Sequence, residues 1–254
     1  MKHSYIDEYS GIDSFIHRLD PRIKIITFVG FVFSIVFTKP TSCLTFLLYG
    51  LILGILIALS KIPVRYILKR SLVVVPFALV VAAFIPFMKQ PVGGYSLGPF
   101  GQAVSRDGLM VFWNVAVKSY LSVLCMILLT ASTCFSDLLK GFAMLKCPQL
   151  IIMVLSFMYR YIFVIEDEFM KMKQAKASRS VEDSKWLDVK ALANMVGVLF
   201  VRAYERAESV YLAMSSRGFD GTVRTIHHFQ ITAADMLFFS AMLALLIGAH
   251  LFGV

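Results

Sequence analysis

The chain has 254 residues, of which 58% are hydrophobic and 16% charged, and its mean hydropathy is +0.76. Ordinary soluble domains are about 45–50% apolar and about 25% charged. This composition excludes disordered, collagen-like and disulfide-scaffold proteins, and it argues against a soluble globular enzyme. It predicts an all-α polytopic membrane protein.

The formal net charge of +9 fits either nucleic-acid binding or a membrane protein that keeps Lys and Arg at its cytoplasmic side. Residues 166–230 carry ten basic and nine acidic side chains, which is too balanced for a nucleic-acid patch. The four cysteines stand singly in the sequence, without the spacing of a zinc site. We therefore expect a lipid bilayer as partner, with no nucleic acid and no metal bound to this chain.

Five apolar runs approach the roughly 20 residues that a spanning helix needs. They cover residues 23–38, 43–59, 72–88, 109–133 and 233–254. A sixth apolar run, residues 150–165, is shorter than a typical span.

Basic residues fix the predicted orientation through the positive-inside rule. On one side lie Lys2, Arg18, Arg22, Lys24, Lys61, Arg65, Lys69, Arg70, Lys140 and Lys146, and on the other only Lys39, Lys89 and Arg106. The N-terminus is therefore predicted to be cytoplasmic. A crossing by residues 150–165 would place four basic residues outside, so we predict five spans with an outside C-terminus; six spans are the alternative.

Residues 148–217 predict two long amphipathic helices, which we expect to be cytoplasmic. The first runs from about 148 to 179 and the second from about 185 to 217, with apolar residues every three or four positions. Asp183 or Ser184 is expected to cap the second helix, and Gly218 stands where a left-handed cap is wanted. The predicted regions are 1–22 (cytoplasmic), 23–133 (four spans), 134–230 (coupling) and 231–254 (final span).

Both long helices end in similar sequences, Ser178-Arg179-Ser180 and Ser216-Arg217-Gly218. A single arginine there is ordinary, because the helix dipole favours a cation at a helix C-terminus by about 0.3–1 kcal/mol. The repetition at the ends of two successive helices suggests a functional role for both arginines. Two rigid cationic tips close together would suit an acidic groove on a partner, since arginine pairs bidentately with carboxylates.

Residues 11–24, GIDSFIHRLDPRIK, resemble the opening of the transmembrane T component of energy-coupling factor (ECF) transporters, the EcfT/CbiQ family. That family often carries an HRLDPR-x-K run before its first span and two short Ala-Arg-Gly-like motifs. The matching positions here are Ser178-Arg179-Ser180 and Ser216-Arg217-Gly218. Ser replaces Ala in both motifs and Gly in the first, which changes the tips but keeps their charge.

The resemblance implies a non-catalytic subunit of a prokaryotic plasma membrane importer. It would couple two cytoplasmic ATP-binding-cassette ATPases, into which Arg179 and Arg217 insert, to a small substrate-binding membrane S component. ATP and Mg would be bound by those partners, and the sequence carries no GxxxxGK[ST] phosphate loop. Cobalt or nickel uptake is the preferred cargo, and a vitamin-type importer is the alternative.

Other charged residues leave further hypotheses open. Lys118, with Asn114 four residues before it, lies inside the fourth apolar run, where a charge is costly. Structural pairing is the favoured interpretation for Lys118, and capping or pairing for Asp235. A stand-alone secondary transporter or channel would need these two residues as an ionisable path. A membrane-embedded enzyme would need a catalytic cluster that the sequence does not show, and His227-His228 lacks a third metal ligand.

Overall fold

The computed structural model describes residues 14–39, 42–73, 76, 80, 106–179, 185–221 and 231–252. Within these ranges all regular structure is helical, which confirms the all-α prediction. In chain order the helices are α1 (Phe15–Arg18), α2 (Pro21–Phe37), α3 (Cys43–Ser60), α4 (described over residues 64–73), α5 (Arg106–Ser132), α6 (Phe135–Met144), α7 (Gln149–Arg179), α8 (Lys185–Ser215) and α9 (Ala233–Phe252).

The described helices fall into two compact units. The first, here called the bundle, contains α1 to α5, the part of α6 up to Gly141, and α9. The second, here called the long-helix unit, begins at Phe142 and contains α7 and α8. The four regions proposed from the sequence remain a prediction.

Helix α2 lies at the centre of the bundle, packed against α5 and α9. Beyond its first turn the helix is mainly apolar, as expected of a helix that packs against neighbouring helices on one side and leaves apolar side chains exposed on the other. Phe31, only 1% exposed, meets Tyr49 of α3 edge-to-face, with ring centroids 5.5 Å apart. The outer surface of the bundle is also apolar: Phe33, Phe37 and Leu47 are all more than half exposed. This surface suits contact with lipid.

The bounds of four predicted spans agree with described helices, whereas α7, predicted to stay on the cytoplasmic face, is also long and apolar enough to cross a membrane. Helices α2, α3, α5 and α9 begin and end within three residues of the predicted runs. By length and composition, the stretches Met110–Ser132, Gln149–Arg179 and Ala233–His250 can cross a membrane, and Leu44–Ser60 is a shorter apolar helix. Most of the predicted third span lies outside the described residues.

The long-helix unit differs from the bundle in its burial. Helices α7 and α8 have 31 residues each, and α7 buries none of its residues. Apolar side chains of α8 stay exposed as well, with Phe200 at 74% and Tyr204 at 66%. The two predicted amphipathic helices are confirmed as helices, and their apolar faces remain largely uncovered in this chain.

Candidate partner-coupling site

The first predicted tip is the end of α7. The helix ends at Arg179, whose side chain is exposed. The hydroxyl of Ser178 donates to the carbonyl of Gln174 at 3.1 Å, which holds the serine against the last turn. Ser180 lies outside the described residues.

The second tip is the end of α8, where a capping motif fixes the backbone. Gly218 has φ +78°, in the left-handed region that glycine adopts at no steric cost. Its N–H donates to the Ser215 carbonyl at 3.0 Å, and the Phe219 N–H donates to the Met214 carbonyl at 3.1 Å. These two bonds form a Schellman motif, so the predicted left-handed cap is confirmed and Arg217 is held directly before it.

The two tips share their local chemistry. Ser216 donates to the Leu212 carbonyl at 3.0 Å, the same four-residue back-bond that Ser178 makes. Both arginines are exposed at helix C-termini, where the helix dipole favours a cation. Within the described ranges neither guanidinium forms an ion pair. Each tip therefore presents an exposed cation at a helix end.

The distance between the tips corrects one expectation. Helix α8 has 31 residues and so spans about 45 Å. The six chain steps from Arg179 to the start of α8 cover at most about 22 Å. Arg217 therefore lies at least about 20 Å from Arg179. The tips therefore do not lie close together, as the repeated sequence suggested, and a single small groove would not reach both arginines.

An apolar groove of about 650 Å³ runs between α7 and α8. Its apolar lining includes Val154, Met158, Tyr161, Ala203, Val210 and Met214. An ion pair crosses beside it: Arg202 Nη1 lies 3.2 Å from Glu168 Oε2, and Lys171 Nζ lies 3.4 Å from Glu168 Oε1. The ion pair joins α7 to α8 at one position along each helix.

A buried polar cluster, here called the hub, lies at the start of α2. Asp20 is the N-cap of α2, and its carboxylate accepts from the Arg22 N–H at 2.9 Å. Pro21 at the first helical position needs no N–H partner. Lys24 is 1% exposed, and its ammonium donates to the His17 carbonyl at 3.0 Å and to the Ser132 carbonyl at 3.2 Å.

Asp235 completes the hub from α9. One carboxylate oxygen accepts from the Asp20 N–H at 2.9 Å, and the other accepts from the Thr232 N–H at 2.8 Å. Asp235 thus satisfies the N–H groups of Thr232, directly before α9, and of Asp20, the N-cap of α2, as expected for a residue that caps or pairs. Sequence reasoning missed the role of Lys24, although a lysine at the edge of an apolar run was a visible signal.

Lys118 lies at the opposite end of α2. Its ammonium donates to the carbonyls of Val36 and Thr38, each at 2.7 Å. These carbonyls at the helix end lack partners within the helix, so the lysine acts as a cap. Structural pairing of Lys118 is therefore confirmed, and the two groups that an ionisable path would need, Lys118 and Asp235, bind backbone instead.

Metal binding finds no support in the described part of the chain, where no group of three or more His, Cys, Asp or Glu side chains is placed to hold an ion. His17 contacts Ser14 Oγ through Nδ1 at 2.6 Å. The His227-His228 pair lies outside the described residues.

Comparison with known proteins adds family evidence. The sequence matches the cobalt transport protein family CbiQ over residues 13–228. The energy-coupling factor transporter transmembrane protein EcfT of Limosilactobacillus fermentum is 32% identical, covering 87% of this chain and 86% of the relative. EcfT of Staphylococcus aureus is 29% identical, covering 89% of this chain and 87% of the relative. An uncharacterized protein of Methanocaldococcus jannaschii is 27% identical, covering 92% of this chain and 81% of the relative.

Proposed function

Because the chain belongs to the CbiQ family of cobalt transport proteins, we propose that it is the membrane-embedded coupling subunit of an ATP-driven ECF-type importer. The relatives named EcfT, which this chain matches along most of their length, support this assignment. In the proposal, the subunit joins two ATP-binding-cassette ATPases to a small substrate-binding S component and transmits ATPase motion to it.

The separation of the two arginine tips carries the proposal. Arg179 and Arg217 end two ordered helices, at least about 20 Å apart, and each leaves its charge exposed. A single acidic groove does not reach both tips, whereas two ATPase subunits offer two equivalent grooves. Ser178, Ser216 and Gly218 fix the backbone from which the arginines project.

The hub favours a location of both long helices on one membrane face. Lys24 binds the end of α5, and Asp20 binds the start of α9, so both ends of residues 134–231 lie at the same end of the bundle. The chain then crosses the membrane an even number of times between them. A crossing by α7 alone would place α9 about 30 Å away. Because α8 is not among the described helices that are long and apolar enough to cross, we propose five spans and keep the predicted cytoplasmic location of residues 134–230.

The uncovered apolar faces support the third partner. Helices α7 and α8 expose large apolar side chains and a groove between them. Exposed apolar surface on this scale marks a protein or membrane contact. We assign it to the S component, whose own surface is apolar because it resides in the bilayer.

The proposed subunit is non-catalytic, and ATP with Mg is assigned to the partner ATPases. In the proposal it resides in a prokaryotic plasma membrane with its N-terminus in the cytoplasm. Cobalt or nickel is the preferred cargo in the proposal, and the family description, which names cobalt, supports the first of these. A vitamin is the alternative, and the S component would set this choice.

Capture of partners from the native membrane tests the proposal. We would purify the tagged chain in mild detergent and identify what binds to it by mass spectrometry. Two ATP-binding-cassette ATPases and one or more small hydrophobic proteins are expected with the natural chain. The Arg179→Glu, Arg217→Glu double variant should lose the ATPases and keep its place in the membrane. Lys190→Glu, at another exposed position of α8, is the matched control and should keep them.

The opposite results would overturn the proposal. Normal recovery of the ATPases with the double variant would show that Arg179 and Arg217 do not bind them. Transport by the purified chain alone, without ATP, would replace the coupling role with a stand-alone transporter. Uptake of labelled Co²⁺, Ni²⁺ and a vitamin panel into cells that express the complex would then identify the cargo.

A further inference from the structure

Both ends of residues 134–231 meet the same short segment, the start of α2. The preceding helix, α5, ends at Ser132, and the following helix, α9, begins at Ala233. The contacts that join these ends to the start of α2 cross 108 and 215 residues of sequence. They are therefore tertiary contacts, with no contribution from local chain geometry.

Lys24 makes the contact with the first end. Its ammonium reaches the Ser132 carbonyl at 3.2 Å and the Thr133 hydroxyl at 3.5 Å. Its third donor goes to the His17 carbonyl at the end of α1. An ammonium has three donors, and all three are used. A lysine that is 1% exposed and fully hydrogen-bonded holds its partners in one geometry.

Asp235 makes the contact with the second end. Its two oxygens accept from the backbone of Asp20 and of Thr232, so one buried carboxylate joins the N-caps of α2 and α9. The reach back to the Thr232 N–H resembles half of a capping box. Charge-assisted hydrogen bonds of this kind are about twice as strong as neutral ones.

Helix α6 is held at the same place by steric fit. A Cβ built on Gly141 would lie 2.9 Å from Ile25 Cδ1 and 3.3 Å from Pro21 Cβ. A larger residue here would have to displace the end of the Ile25 side chain, so glycine favours the close approach of α6 to the first turn of α2. The first helix after α5 therefore packs on the segment that Lys24 and Asp20 occupy.

We infer that Lys24, Asp20 and Asp235 form a staple that keeps the two ends of residues 134–231 together on the bundle throughout the transport cycle. This inference rests on the proposed function, since it makes the staple the fixed base from which the coupling helices act. Lys24 and Asp235 are positioning residues, which act on the coupling region through the helix ends that they bind.

A distance measurement across the staple tests this inference. We would replace the native cysteines, attach spin labels at Thr130→Cys on α5 and Ala234→Cys on α9, and record the distance by pulsed electron paramagnetic resonance. Both positions are exposed and close to the ends that the staple joins. The natural sequence is expected to give one narrow distance that is the same without nucleotide, with ATP and with ADP.

Lys24→Met and Asp235→Asn are expected to broaden this distance, and in the complex to make it depend on nucleotide. Lys118→Met is the matched control, because Lys118 also binds carbonyls at a helix end but about 18 Å further along α2. The control should keep the narrow distance. A staple variant whose distance stays narrow, while the control folds, would overturn the inference.

The outcomes separate this inference from the proposed function. The chain without ATPases still reports whether Lys24 and Asp235 hold the two ends together, so a failure to capture ATPases leaves this test intact. If both staple variants fail to fold, the natural sequence still decides the inference. A label distance that changes between ATP and ADP would show that the ends separate, and the staple would be rejected.

Discussion

The bundle and the long-helix unit contain similarly apolar helices whose side chains meet different surroundings. Helix α2 buries eight of its 17 residues, and α7 buries none of its 31. In the bundle the helices cover one another, and the remaining apolar surface suits lipid. In the long-helix unit the apolar faces of α7 and α8 stay exposed in this chain. A sequence pattern shows that a face is apolar, and the fold shows whether the same chain covers it.

The largest contrast is expected from one substitution made in both units. Phe31→Ala removes a buried ring that packs against Tyr49, so it should lower the free energy of unfolding by about 3–5 kcal/mol. Phe200→Ala, at a ring that is 74% exposed, should change it by about 0.5 kcal/mol or less. Thermal unfolding of the purified chain in detergent measures both. An equal loss at Phe200 would mean that α8 is covered in the isolated chain, which contradicts the comparison.

Lys118→Met is expected to have the next largest effect, and it concerns the bundle. It leaves the Val36 and Thr38 carbonyls without their donor, which should cost about 1–3 kcal/mol of stability. Uptake per folded chain should stay unchanged, because the lysine caps a helix and conducts nothing. Lys69→Met, at an exposed position, is the control for stability. Loss of transport without loss of stability would instead give Lys118 a place in a conduction path.

Gly218→Ala tests the tip of the long-helix unit. Its left-handed conformation should cost about 1–2 kcal/mol once a Cβ is present, so the end of α8 should fray. Gly197→Ala, at an open position within α8, should instead stabilise the helix by about 0.5–1 kcal/mol. Hydrogen exchange at the end of α8 and ATPase capture measure the two effects. Equal hydrogen exchange at the end of α8 in both variants would show that the capping motif does not hold Arg217 in place.

Much of the fold was predictable from the sequence because helix signals are local. The apolar runs place α2, α3, α5 and α9 closely, and Gly218 marks the end of α8. The separation of the tips also follows from local quantities, since it depends only on the length of α8 and of the link before it.

The hub was not predictable in the same way. The pairing of Lys24 with Ser132, and of Asp20 with Asp235, joins residues far apart in sequence, and one sequence gives no signal for such pairs. Local reasoning identified Asp235 as a residue that caps or pairs, because a carboxylate in the first helical turn satisfies free N–H groups. Its second partner becomes apparent only when α2 and α9 pack together.

The smallest expected effect concerns the Glu168–Arg202 pair between α7 and α8. A double-mutant cycle with Glu168→Gln and Arg202→Gln should give only a small coupling energy in the isolated chain, because both side chains are partly exposed. The coupling should fall as salt is added. Lys171→Gln removes the Glu168 partner within α7 and is the control, and it should have a similarly small effect.

The same cycle in the assembled complex sharpens the comparison between the two units. If a partner covers the groove, water is excluded from the ion pair, and its coupling energy should rise and become less sensitive to salt. An unchanged coupling energy would mean that this part of α7 and α8 stays exposed in the complex. The apolar faces further from the pair would then be the surface that the partner covers, and Phe200→Ala would weaken assembly where Glu168→Gln would not.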